Sequence, residues 1–143
     1  MNVDENQVQI CSGGGHKQIL SAMRRHANDL LVQEFGCEAL WNLARHEDHR
    51  GRLAETDAVT QVLTAMETHK WEPAIQAEGV GALCYLALDR RNEVEIGKNK
   101  GIEIITQGMK RFVKNRKIQD RSCQALLVLS SYDHNQMLSL IHI

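Results

Sequence analysis

Several groups of residues in this chain have types and spacings that could carry chemistry. HEDH at 46–49 sets two histidines beside two carboxylates. A zinc-protease helix needs its histidines at i and i+4, so that both rings face one metal. His46 and His49 are three apart, and no metal role is assigned to them. The cysteines at 11, 37, 84 and 123 stand alone. None forms the close Cys pair that structural zinc sites use. No Ser-His-Asp grouping can be argued, so no catalytic residue and no cofactor is assigned. The stretch KRFVKNRKIQDR at 110–121 is more pointed, with Lys110, Arg111, Lys114, Arg116, Lys117 and Arg121, preceded by Lys98 and Lys100. Such a run could dock an acidic or phosphorylated segment. The competing reading is a solvated turn between helices. Nucleic acid is disfavoured as a partner, because only Phe112 interleaves an aromatic ring for stacking.

Whatever positions these residues must be built from aliphatic helices. The chain has 143 residues, 43% apolar but only 4% aromatic, with one proline, Pro73. A chain of this length buries about 68–70% of its unfolded surface, so its core needs no disulfide or metal. The balance of 17 basic against 18 acidic residues calls for no polyanionic partner. Asp4, Glu5, Glu34, Glu38, Glu47, Asp48, Glu55 and Asp57 concentrate acid in the first half, opposite the basic stretch. No apolar run reaches the ~18–20 residues of a membrane span, and MNVDENQVQ has the character of neither a signal nor a transit peptide. The expectation is a cytoplasmic protein with reduced thiols, with a nuclear location also compatible and no membrane insertion.

The elements are set by an internal repeat. VQEFGCEALWNLAR (32–45), IQAEGVGALCYLAL (75–88) and IQDRSCQALLVLSS (118–131) lie 43 residues apart. The offset aligns Gln33, Gln76 and Gln119, and Leu43, Leu86 and Leu129. Upstream it aligns Met23, Met66 and Met109, and Gly15, Ala58 and Gly101. The units run about 6–48, 49–91 and 92–134, in one domain spanning 1–143, with 135–143 as the start of a fourth unit or a cap. Each unit divides into three helices. In the second copy these are predicted at 49–55, 58–69 and 73–88. Thr56-Asp57 offers a cap between the first two, and Pro73 suits the first turn of the third. GGG at 13–15 falls on the break between the first two helices, not on a phosphate loop.

Gly36 aligns with Gly79 and Ser122, so the position is small in every copy. A mid-helix glycine costs about 0.8–1 kcal/mol relative to alanine. The pattern predicts that a neighbouring backbone approaches there. Each cysteine aligns with apolar or small residues, which predicts buried structural thiols throughout. Trp71 aligns with Asn28 and Lys114 and falls on a turn, free to anchor a partner or to lie over Pro73.

A 43-residue unit of short, medium and long helices resembles the armadillo repeat. VQE..C.ALWNLA is similar to the third helix of β-catenin and importin-α repeats, and N.....I..GGG, Asn6 through Gly15, to the first helix and its glycine break. The resemblance covers about 6–134. It implies an all-α right-handed superhelix whose third helices line a concave groove that binds extended peptides. Its groove asparagine corresponds to Asn42, with Tyr85 and Val128 in the other copies. The position at which importin-α carries a tryptophan holds Glu38, Gly81 and Gln124, which argues against nuclear-localisation-signal binding. If 36, 39, 40 and 43 face the core, then 34, 38, 42 and 45 face the groove. This adds Glu34 and Arg45, then Ala77 and Leu88, then Asp120 and Ser131. The apolar middle copy, with Tyr85 beside Gly81, is expected to form a pocket. The implied function is a non-enzymatic scaffold binding a protein or peptide. The alternative is self-assembly, a homodimer or longer solenoid joined through the apolar terminal repeat.

Overall fold

The computed structural model describes residues 2–131, and every regular element among them is helical. The helices are α1 (Val3–Ser12), α2 (Gly15–Arg25), α3 (Leu30–Ala44), α4 (Glu47–Leu53), α5 (Ala58–Thr68), α6 (Pro73–Leu86), α7 (Arg90–Lys98), α8 (Gly101–Arg111) and α9 (Arg116–Leu129). They form three copies of one three-helix unit. The first helix of the second unit starts two residues earlier than the pattern predicts, at Glu47. The segment expected to begin a fourth unit, 135–143, lies outside the described residues.

Helix starts follow the residues available to cap them. Asn2 and Glu5 form a reciprocal capping box on α1. The Asp29 side chain accepts from Val32 N, and Asn115 from Ile118 N, each at 3.1 Å. Glu72, in the same register, makes no such bond. Pro73 follows it and lacks the N–H that would otherwise be orphaned. The break expected at Thr56-Asp57 is capped by Thr56 alone, whose Oγ1 accepts from Ala58 N at 3.2 Å. Asp57 is drawn away to Arg24 of the previous unit, at 2.8 Å.

The glutamine register explains itself in the structure. Gln33 Nε2 donates to Met23 O at 3.0 Å and His26 O at 2.9 Å. Gln76 does the same to Met66 O at 2.8 Å and His69 O at 3.1 Å. Gln119 repeats it on Met109 O and Phe112 O. One primary amide uses both its protons: one on a methionine carbonyl that the end of the helix leaves without a partner, the other on a carbonyl that also accepts a backbone N–H from the following turn. The third helix is thereby fastened to the second in every unit.

The glycines of α3 and α6 serve a side chain, which corrects the expectation of a close backbone. A Cβ on Gly36 would stand 2.6 Å from Met23 Sδ, and one on Gly79 2.6 Å from Met66 Cγ. The methionine of the second helix crosses over the glycine of the third. Met23 and Met66 are 1% and 2% exposed as a result.

Stacking completes the core. α6 packs between α3 and α9, and α2, α5 and α8 back the same row. Leu20, Leu40, Leu53, Ile75, Leu83, Leu86, Ile96 and Ile105 are sealed within it. This is the layout of an armadillo-type solenoid, in which each unit buries its faces on its neighbours.

Candidate partner-binding groove

The row α3–α6–α9 leaves one side open, and its centre is a ring that the repeat pattern hides. Trp41 leans from α3 onto α6, where Gly81 makes room for it. A Cβ on Gly81 would lie 3.1 Å from the indole. The pocket expected beside Gly81 is therefore filled by Trp41. Tyr85 stacks on the same indole, with ring centroids 6.5 Å apart and planes at 27°.

Two guanidinium groups close on this aromatic pair. Arg45 lies 4.9 Å from the Trp41 centroid and 5.9 Å from that of Tyr85. Arg121 reaches across from α9 to within 4.1 Å of Trp41. Such contacts contribute roughly 0.5–1 kcal/mol each at exposed sites. They also hold the long side chains extended. Arg121 is fixed further by donating to Ala77 O at 2.8 Å and by Glu78 at 3.7 Å. Arg45 is exposed and makes no ion pair among the described residues, so its N–H donors face solvent. Glu38 and Asn42 are exposed on the same helix. Burial pushes the Glu78 carboxyl upward; Arg121 opposes this, and Glu38 adds to it. Trp41 Nε1 is buried with no acceptor among the described residues.

Several residues assigned to the groove are not available there. Leu88 is 6% exposed and Val128 is sealed at 0%. Gly81 lies beneath Trp41, and Ala77 is buried at 5%. The reason is geometric: α6 has a helix on each side, which closes over Ala77 and Gly81, while Leu88 and Val128 are taken into the core shared with the neighbouring helices. Gln124 is half-buried, without a hydrogen bond to any described residue. Of the assigned residues Glu38, Asn42, Arg45 and Asp120 are exposed, and Glu34, Tyr85 and Ser131 are half-buried. Trp41, Arg121 and Glu78 join them, with Phe35 (57% exposed) in the register of the last two. Trp41 was missed because its register mates, Cys84 and Leu127, read as core. Gly81 was the available signal, since it leaves space for a ring.

The basic stretch divides. Arg121 belongs to the groove. Arg111 donates to Lys70 O at 3.2 Å and covers Trp71 at 5.0 Å. Lys110, Lys114, Arg116 and Lys117 are exposed. Trp71 is on its turn and 69% exposed, under Arg111.

Three cysteines are buried, and burial pushes the Cys37 and Cys84 thiols up to about 12. Cys123 is exposed, against expectation, because it faces away from α6. His46 Nε2 approaches Asp4 at 3.4 Å, and its ring meets His49 edge-on. Among the described residues no group of three or more His, Cys, Asp or Glu is arranged to hold a metal. No described helix is long and apolar enough to cross a membrane.

Fold and groove thus define an armadillo-repeat protein, a class of scaffolds that are generally non-enzymatic and typically bind other proteins. The family model described as LRRK2 ARM repeat matches residues 3–142, and the chain belongs to this family. It is also 36% identical over 133 residues to "Protein aardvark" of Dictyostelium discoideum. That match covers 84% of this chain and 18% of the relative, so the chain spans under a fifth of that protein's length. No solved structure matches.

Proposed function

We propose that the chain binds an extended segment of a partner protein along α3, α6 and α9. The observation that carries this is the Trp41–Tyr85 pair with the Arg45 guanidinium laid over it and open to solvent. Tryptophan, tyrosine and arginine are enriched among the few residues that dominate binding energy at protein interfaces. Arg45 is already extended, so little freedom is lost when it meets a carboxylate or a main-chain carbonyl. Asn42, beside it on α3, has an amide that offers both a donor and an acceptor to a peptide unit. Phe35 and Glu38 extend the surface toward the start of α3.

The test is affinity capture with the chain and with an Asn42→Ala, Arg45→Ala variant, both side chains being exposed and outside the core. A second variant, Lys98→Ala, controls for loss of a surface charge on α7. Equal melting temperatures establish that all three fold. A partner lost only with the groove variant supports the reading. A partner retained by that variant overturns it.

A second reading is assembly through the outer flank of α9, where Cys123 and Leu127 are exposed although their counterparts in α6 are buried. A mass that rises with concentration, and falls back on Leu127→Glu, distinguishes it from groove binding.

A further inference from the structure

The turn between α5 and α6 and the turn between α8 and α9 lie side by side on one edge of the stack. Arg111 joins them, donating to Lys70 O at 3.2 Å while its guanidinium lies 5.0 Å from the Trp71 ring. The first turn presents Trp71, 69% exposed, and the second presents Val113, 68% exposed. Both project into solvent from turns. Lys70 adjoins Trp71 in the chain, and Lys110, Lys114 and Arg116 adjoin Val113, all exposed and none in an ion pair with a described residue; Lys117 acts on Glu78. Glu67 and Glu72 are the carboxylates that flank Trp71 in sequence. The chain as a whole carries a formal charge of -1, so this concentration of cations is local.

We propose that this edge docks on an anionic lipid surface. Two apolar tips set among lysines match the layering of a bilayer face. Indole favours the headgroup boundary, where one end of the ring is dry and the other wet. Lysine and arginine ammonium and guanidinium groups meet the negative surface potential of acidic lipids. An acidic peptide would engage the cations but leave Trp71 and Val113 in water. Nucleic acid would want several stacking rings, and the edge has one prominent aromatic tip. The attachment is peripheral, since no described helix is fit to cross a membrane.

The experiment is co-sedimentation of the 143-residue chain with phosphatidylcholine vesicles, alone or containing phosphatidylserine, read together with tryptophan emission. The chain is expected to pellet with the phosphatidylserine vesicles and not with pure phosphatidylcholine. Its emission should shift to the blue, and Trp71→Ala should abolish that shift while leaving the Trp41 signal. Lys110→Glu with Lys114→Glu should weaken pelleting at least about tenfold, as should raised salt. All three side chains are exposed, so unchanged thermal melting separates loss of docking from loss of fold. Failure to pellet with the acidic vesicles overturns the proposal, as does pelleting that the charge-reversed variant retains. Polyglutamate is the remaining control. If it reproduces the blue shift and displaces the chain from vesicles, the edge is a site for acidic protein segments and the lipid assignment fails.

Discussion

α6 and α9 share one register and differ in what stands beside them. α6 has α3 on one flank and α9 on the other. Its Val80 and Cys84 are 1% and 2% exposed, whereas Cys123 and Leu127, their counterparts in α9, are open, Leu127 at 45%. The comparison separates two roles that a repeat sequence merges. The repeat decides which flank of a helix would meet a neighbour. The place in the stack decides whether a described helix covers that flank. Cysteine and leucine in a shared register therefore signal a packing flank without signalling burial.

The largest break in this comparison comes from the leucine register. Leu83 is sealed, while Leu126 is half-buried. Leu83→Ala is expected to cost about 3–5 kcal/mol, within the range for leucine truncation in a packed core, and Leu126→Ala about 1–2 kcal/mol. Urea unfolding measures both; equal losses would show that the end unit is packed as tightly as the middle one.

The glycines sharpen the point at a smaller scale. Gly79→Val drives a branched side chain into Met66 and should cost about 1–3 kcal/mol of overpacking. Gly97, on α7, has open space where a Cβ would go. Gly97→Ala should therefore stabilise by about 0.5–1 kcal/mol through helix propensity alone. Thermal melts of the two variants should move in opposite directions.

Next in size are the amide clamps. Gln76→Ala leaves Met66 O without its donor and His69 O with only the Glu72 N–H, in a site 1% exposed. It should cost about 1–3 kcal/mol, and Gln119→Ala less, because water can reach that half-buried unit. Hydrogen exchange at the ends of α5 and α8 would report the loosening locally. A larger effect at Gln119 would contradict the contrast between middle and end.

The smallest expected effect is a pH slope at the other end of the stack. Burial holds His16 below its usual range, with Lys17 and Arg52 adding to it. Burial does the same for His49, where His46 and Arg52 add and Asp48 and Asp4 oppose. Each has a ring nitrogen buried without a partner among the described residues. The unfolded chain then takes up protons first. Their contribution is complete above about pH 6.5, the unperturbed histidine value, and is lost as pH falls through it. The repeat supplies benign replacements in Val59 and Asn92. His16→Val with His49→Asn should flatten this acid slope in pH-dependent unfolding, and an unchanged slope would assign it to other groups.

The Gln33, Gln76 and Gln119 register was legible as a pattern and became intelligible as a bond only when the carbonyls it meets were located. The same holds for Gly36 and Gly79: smallness was visible, but the sulfur of Met23 or Met66 was not. At the groove, Asn42, Arg45 and Tyr85 were legible from helical spacing, because which side of a helix a residue occupies is a local property. Leu88 and Val128 were misplaced by the same rule. Spacing does not report that a position has been taken into the core shared with a neighbouring helix.

By itself, then, the sequence determined the 43-residue period, the order of short, medium and long helices, and membership in the armadillo class. These rest on local propensity, caps and apolar spacing, which act over a few residues and repeat wherever the residues do. Only the tertiary structure decided that Trp41 would cover Gly81, that Arg121 would cross to it from α9, and that Cys123 would face outward while Cys37 is sealed. Those outcomes depend on how one unit is set against the next, and the position of a neighbouring helix is a property of the stack that no single unit encodes.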